Sequence, residues 1–563
     1  MRLLSLFVAL SLVAASQQAA AGTESDEARH SAVDALFAGF TGTSPGAAVG
    51  VYQQGKLVYA HGYGLADLET RTPITPQTRF HVASVSKEFT AFAIALLARD
   101  GKVDLNADIR RYLPYVPDFG TPIEVHHLLT HTSGLRDQWQ LFRLGGQEEH
   151  NVLHEQQIIN LVSRQRALNF TPGAEHMYCN TGYTLLGEIV RAASGRSLRQ
   201  YTSERIFAPL GMTHTFFYDD VREVVQDRAQ SYTREGKGPW QRDLLNYDNV
   251  GATSLLTTVE DFAKWEANFT HPVVGDRALI DQVSTNRSLD DGTPIQYGYG
   301  LWRTQVDGRE IITHSGSDAG FRALFVYYPA YDFAITILAN TNIDPAAADG
   351  HLVLSDKAAA IANLYLPKAV PQPVRAEAQH PDPAPLAGTY VAPYNSSLTL
   401  EARSGELYSR SGGESHKLVQ RADGSFDKGK PRDDYFAPVK DSASQVTAIE
   451  EHAITSGKVV HYARIAPVSP SPAALAELAG DYRSEELDVT YTIGVQGHDL
   501  TARSIWSVAP IVLHPVTPDR FEADDEDLAI VVFDRDSHGR IKGLRVHENR
   551  IRNVVFHRVR SAS

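Results

Sequence analysis

The tract PKAVPQPVRAEAQHPDPAP, beginning at Pro367, is too rich in proline and charge to be buried and too stiff to fold back on itself. It reads as an extended linker over residues 367–384 and divides the chain into a large first block and a smaller second one. Beyond it lies an internal repeat. Leu386-Ala-Gly-Thr-Tyr390 recurs as Leu478-Ala-Gly-Asp-Tyr482, Gly405-Glu-Leu-Tyr as Gly497-His-Asp-Leu, and VVHYARI as VVFHRV. Each copy is rich in short alternating runs broken by Gly, Asp and Asn, with almost no helical period. The expectation is two small antiparallel β-barrels over 385–468 and 473–560, with residues 467–472 between them.

With 563 residues the chain exceeds what one core usually organises, which agrees with several units. Its net charge of -14 comes with no local basic patch, so a polyanion would be repelled and nucleic acid is excluded as a partner. Met1-Arg2, an apolar run from Leu3 to Ala15 and the small residues Ala19–Ala21 read as a signal peptide over 1–21. A periplasmic or secreted protein with no transmembrane segment after signal removal is expected. Cys179 is the only cysteine, so no internal disulfide can form even in an oxidising compartment.

Within residues 22–366, Ala47 to Tyr52 and Leu57 to Tyr63 bracket a turn and predict a β-hairpin. A helix is predicted from near Ser84 to Asp100-Gly101, another from Asn180 to Gly195, and a third from a capping-box start at Thr257-Thr258. Glu310 to His314, Ala323 to Tyr328 and Phe333 to Asn340 predict an antiparallel meander, and residues 349–366 a closing helix. The first block is therefore an α+β unit.

Its chemistry starts from HVASVSKEFT, where Ser84 stands three residues before Lys87. A serine and a lysine at that spacing also occur at Ser425 and Lys428, but on a strand residues three apart point to opposite faces. At the head of a helix they stack on one side, so the Lys87 amine reaches the Ser84 hydroxyl. The helix N-terminus and burial both disfavour an ammonium, which helps the lysine act as a neutral base. Backbone N–H groups at the same place can hold an oxyanion.

At these residues the chain resembles the penicillin-recognising serine hydrolases: serine β-lactamases, D-alanyl-D-alanine carboxypeptidases, D-aminopeptidases and related esterases, whose nucleophile sits in S-x-x-K. IEVHHLLTHTSGL, FTPGAEHMYCNTGYTLLGEIV, YGYGLW and HSGSDAGF follow in that family's order. The resemblance implies an antiparallel sheet flanked by helices, with Ser84 as acylated nucleophile, Lys87 as base and Tyr178 as second proton-transfer group. It also implies an oxyanion hole from the Ser84 and Ser317 N–H groups, and substrate contacts from Asn180, His314 and Gly316. No cofactor and no metal are implied. Two lipocalin-like barrels after such a domain are most similar to three-domain D-aminopeptidases, in which a loop of the last barrel reaches the active site. The acidic run Asp524 to Asp527 is the candidate here, suited to pair with a substrate ammonium.

One departure matters. Many relatives carry Lys-Thr-Gly where this chain has His314-Ser-Gly316, and a histidine is not an assured cation near pH 7. That weakens a carboxypeptidase or β-lactamase reading; His-x-Gly resembles the form in D-aminopeptidases and some esterases of the family, and with the two barrels the resemblance implies a hydrolase of peptides or amides containing D-amino acids. A carboxylesterase or weak β-lactamase is the first alternative, and a non-catalytic cell-wall or partner-binding protein the second. A homo-oligomer is compatible with either. The clusters His126, His127 and His131, and His150 with His154, lack a recognised zinc spacing. His131 reads as a turn-forming landmark, and Cys179 as a small buried side chain.

Overall fold

Gln54 and Gly55, at φ 53° and 69°, turn the chain between β1 (Ala47–Gln53) and β2 (Lys56–Tyr63). This is the hairpin expected from the sequence. The computed structural model describes residues 26–147, 151–368, 376–379, 382–411, 414–429, 434–453, 457–466, 468–523, 525 and 528–559. The expected signal peptide lies outside them, as do Asp524, Glu526 and Asp527.

The meander adds β3 (Trp302–Val306), β4 (Arg309–Asp318), β5 (Phe321–Tyr328) and β6 (Phe333–Ala339). The six strands form one antiparallel sheet in the order β3-β4-β5-β6-β1-β2, with Ala47 opposite both Ala339 and Tyr63. Its central strands β1 and β6 are nearly continuous apolar runs because both faces are covered. In chain order the main helices are α1 (Ser86–Arg99), α2 (Gln138–Leu144), α3 (Glu155–Arg164), α4 (Asn180–Ser194), α5 (Val259–Thr270), α6 (Leu354–Tyr365) and α7 (Pro472–Leu478). On one face Val49, Ile335 and Ile337 pack with Phe37 and with Ala358 and Ile361 of α6. On the other, Ala48, Tyr52 and Phe325 join Phe89 and Phe92 of α1 and Phe262 and Trp265 of α5. Helix α1 is buried from Ser86 to Leu97, which is why its sequence is apolar all round. The closing helix α6 starts at Leu354, later than expected, because Asp349 Oδ1 accepts the His351 N–H and forms a turn there.

The repeat is two closed eight-stranded barrels, each with its strands in sequence order, running from Gly388–Val391 to Val459–Ile465 and from Gly480–Ser484 to Ile551–Arg558. The repeated Leu-Ala-Gly-x-Tyr motif does the same thing twice. Tyr390 Oη donates to the Leu386 carbonyl at 2.8 Å, and Tyr482 Oη to that of Leu478 at 2.6 Å. The glycines take φ 151° and 146°, and a Cβ at either would meet the guanidinium of Arg464 or Arg558, which closes the barrel from its last strand. No helix is expected between the barrels, yet Pro472 opens α7, capped by Ser471 Oγ on the Ala474 N–H at 3.2 Å. Seven residues are too few to show a period; Leu475 and Leu478 nonetheless anchor α7 in the second barrel's core.

The second barrel is joined to the first block through a shared core. Leu141 and Leu144 of α2 and Leu161 of α3 pack with Tyr482, Leu500 and Leu513 of the barrel. Beside them the buried Arg136 guanidinium meets Glu486 at 2.5 Å and donates to the carbonyls of Arg552 at 3.0 Å and Asn553 at 2.7 Å. Among the described residues no helix is long and apolar enough to cross a membrane.

Candidate active site

Ser84 lies in a single 3-10 turn, Ala83–Val85, that runs directly into α1. In such a turn residues three apart eclipse one another, so Lys87 is carried over Ser84, with Nζ 2.8 Å from Oγ. Ala83 takes φ 48°, a left-handed conformation costly for a residue with a side chain and often found beside reacting groups. Strand β4 runs against this turn. A Cβ on Gly316 would lie 2.2 Å from the Val82 carbonyl oxygen and 3.1 Å from the Ser84 nitrogen, so only glycine lets the strand approach so closely. The next residue, Ser317, shares the cavity wall with Ser84, as an oxyanion site built from their two N–H groups requires.

Lys87 is fully buried and has two further partners, Asn180 Oδ1 at 2.9 Å and the Ala252 carbonyl at 2.6 Å. A neutral amine has two N–H bonds and a lone pair. Donating to Asn180 and Ala252 leaves the lone pair to accept from the Ser84 hydroxyl. Burial pushes the Lys87 pKa down to about 7, against the opposing pull of Asp318 and Asp137 and with help from Arg550. Asn180 is itself oriented: Asp137 Oδ2 accepts its N–H at 2.6 Å and its Nδ2 at 2.9 Å, which points Oδ1 at the lysine. Tyr178 is half-buried with its hydroxyl out of solvent, and desolvation raises its pKa even though the Ser84 hydroxyl pulls the other way. Its hydroxyl faces that of Ser84 without closing a hydrogen bond of ordinary geometry.

His314 differs from the expected substrate contact. Burial and the nearby Lys87 lower its pKa to about 3, so it is a neutral ring. His131 Nδ1 accepts the Cys179 N–H at 3.0 Å, so His131 Nε2 carries the proton and donates to Tyr297 Oη at 3.2 Å. Tyr297 then donates to His314 Nε2 at 3.3 Å, and His314 Nδ1 donates to the Ser315 carbonyl at 2.7 Å. Both His314 nitrogens are engaged, although the ring still lines the cavity. His131, at φ 58°, is the expected turn landmark and begins this chain of bonds. Cys179 is buried with Sγ donating to the Leu135 carbonyl at 3.4 Å, and burial raises its pKa to about 12, so it is an inert thiol.

These groups open onto a cavity of about 600 Å³, walled by Trp139, Phe142 and Trp302 and reached by Ser84, Tyr178 and Asn180. The second barrel reaches this cavity, and the acidic run lies outside the described residues except for Asp525. Asp525, the described member of that run, does not line it, whereas Arg550 does, from the turn between the barrel's last strands, Ile541–Glu548 and Ile551–Arg558. Arg550 thus brings a positive charge to the site from the second barrel. Arg550, Asp137 and Arg136 escaped the sequence reading because their roles depend on contacts far apart in the chain. Elsewhere, the rings of His126 and His127 lie 4.2 Å apart, tilted by 51°, and can bring a ligand atom each within 4.8 Å of Asp290, while His131 belongs to the active site. His127 Nδ1 already accepts the Glu124 N–H. His154 pairs with Asp248, and His150 lies outside the described residues.

The beta-lactamase family model matches residues 33–359, more than half of the chain. The chain belongs to the beta-lactamase family. Membership makes it a serine hydrolase, and the similarity to some relatives extends beyond that domain. A D-aminopeptidase of Brucella melitensis biotype 2 is 28% identical over 539 residues, spanning 92% of this chain and 96% of the relative. The octameric penicillin-binding protein homologue from Pyrococcus abyssi superposes with a TM-score of 0.51 at 21% identity, covering 84% of this chain and 96% of that one. The D-amino acid amidase from Ochrobactrum anthropi SV3, complexed with L-phenylalanine amide, has a TM-score of 0.51 at 22% identity, covering 61% and 98%. The two structures share the fold of this beta-lactamase family member.

Proposed function

We propose that this protein is an exported serine amidase or peptidase that cleaves short peptides or amides containing a D-amino acid, through an acyl-enzyme on Ser84. The observation that carries the reading is the 2.8 Å contact between Ser84 Oγ and a lysine whose pKa is lowered to about 7. Lys87 takes the Ser84 proton as Oγ bonds to the acyl carbon, and the N–H groups of Ser84 and Ser317 hold the oxyanion. Tyr178 passes a proton to the leaving nitrogen, which departs as the carbonyl re-forms. Tyr178 recovers a proton from Lys87, and water then attacks the ester, giving its proton to Lys87, which passes it to Ser84 Oγ as the acyl–oxygen bond breaks. The D-amino acid preference is supported by the D-aminopeptidase that aligns along nearly the whole chain. Export is supported by the apolar N-terminal run after Met1-Arg2.

A panel of D-alanyl p-nitroanilide, its L counterpart, short acyl p-nitrophenyl esters and a chromogenic cephalosporin tests this reading. The D-anilide is expected to give the highest kcat/KM, and dominant ester or cephalosporin turnover would replace the amidase reading. Ser84→Ala should lower turnover by at least about 10³-fold while leaving the melting temperature within a few degrees. Comparable hydrolysis by the variant would remove Ser84 as nucleophile.

A further inference from the structure

Among the described residues the beta-lactamase domain supplies no free cation to this cavity, since Arg143, which also lines it, pairs with Glu548. Lys87 is committed to the nucleophile, and His314 is neutral with both nitrogens bonded. Arg550 is different. Its guanidinium lies 4.9 Å above the Tyr178 ring, lines the same cavity as Ser84, and has no carboxylate partner among the described residues. The other arginines around this hairpin are all paired: Arg143 with Glu548, Arg552 with Glu175 and Arg136 with Glu486. The backbone beneath it is fixed from the catalytic side. The Arg550 carbonyl accepts from the Asp137 N–H at 3.3 Å and Asn169 Nδ2 at 2.9 Å, and the Arg552 N–H donates to Asn169 Oδ1 at 2.7 Å. A half-buried cation held rigidly at a cavity wall binds an anion at little ordering cost.

We infer that Arg550 is a specificity residue that binds a free carboxylate on the leaving group, so that the preferred substrate is a dipeptide or short peptide rather than an uncharged amide. Its place against Tyr178, the proton donor to the leaving nitrogen, puts it on that side of the scissile bond. The inference rests on the serine amidase reading. It assigns to the second barrel the task that a lysine on the β4 strand would otherwise perform.

The test compares D-alanyl-D-alanine with D-alanyl-D-alaninamide, reading the ratio of their kcat/KM values in the wild-type, Arg550→Gln and Arg550→Lys proteins. The wild-type ratio should favour the free carboxylate by roughly 10- to 100-fold, as a charge-assisted pair at a partly desolvated site provides. Arg550→Gln should bring it close to unity, mainly through KM, and Arg550→Lys should fall between. A ratio unchanged in Arg550→Gln overturns the inference and leaves the serine amidase reading intact. If neither peptide is cleaved but a fluorophosphonate labels Ser84, protection against labelling gives the same comparison, and equal protection by both compounds overturns it. Failure of the probe to label Ser84 removes the amidase reading and this inference with it.

Discussion

Burial gives Lys87 a reason to lose its proton, while Asn180, Ala252 and Ser84 offer three acceptors that would suit an ammonium. With the pKa lowered to about 7, desolvation outweighs the opposing carboxylates of Asp318 and Asp137. Only the neutral form has a lone pair for the Ser84 proton, and that form grows as pH rises through about 7. The rate of Ser84 labelling by a fluorophosphonate should therefore rise about tenfold per pH unit below 7 and level off above it. Lys87→Arg should lower labelling by more than about 10³-fold across that range, because a guanidinium stays protonated. A pH-independent labelling rate would show that a different group activates the serine. The serine, the lysine and Tyr178 were legible in the sequence because their motif neighbours are local. The neutral state of His314 was not, since it depends on Tyr297 and His131, which no spacing rule connects.

Strand β4 and the turn before α1 form the narrowest fit in the molecule that bears on chemistry. Gly316→Ala would drive a methyl group into the Val82 carbonyl, and backbone on both sides leaves little room to yield. The expected result is a loss of about 1–3 kcal/mol in stability and a fall of at least about 100-fold in kcat/KM, seen in thermal melts and in steady-state assays. A variant with wild-type kinetics would mean that the two N–H groups need not be so closely placed. At this scale the alternating strands and amphipathic helices of the first block were readable, and so were the barrels through their repeat. Helix α7 was not, because its seven residues carry too few turns for a pattern to appear.

Across the whole molecule, the second barrel helps to support the catalytic groups. Arg136 ties Glu486 and the carbonyls of Arg552 and Asn553 to the segment whose next residue, Asp137, orients Asn180. Arg136→Ala leaves Glu486 without its cation, and should cost about 3–5 kcal/mol in stability. It should also lower kcat/KM about tenfold or more, although Arg136 does not line the cavity. Unaltered activity with the stability loss would confine Arg136 to holding the barrel in place. Nothing local in the sequence marks this coupling, because the residues involved are hundreds of positions apart. The same separation governs the order of events at the ribosome. A nascent chain has made the whole first block, from Ser84 to Ser317, before it makes the hairpin that bears Arg550, so a polypeptide complete only to the linker holds its nucleophile in a pocket that lacks a wall. Discrimination among substrates is thus the last property this protein acquires during its synthesis.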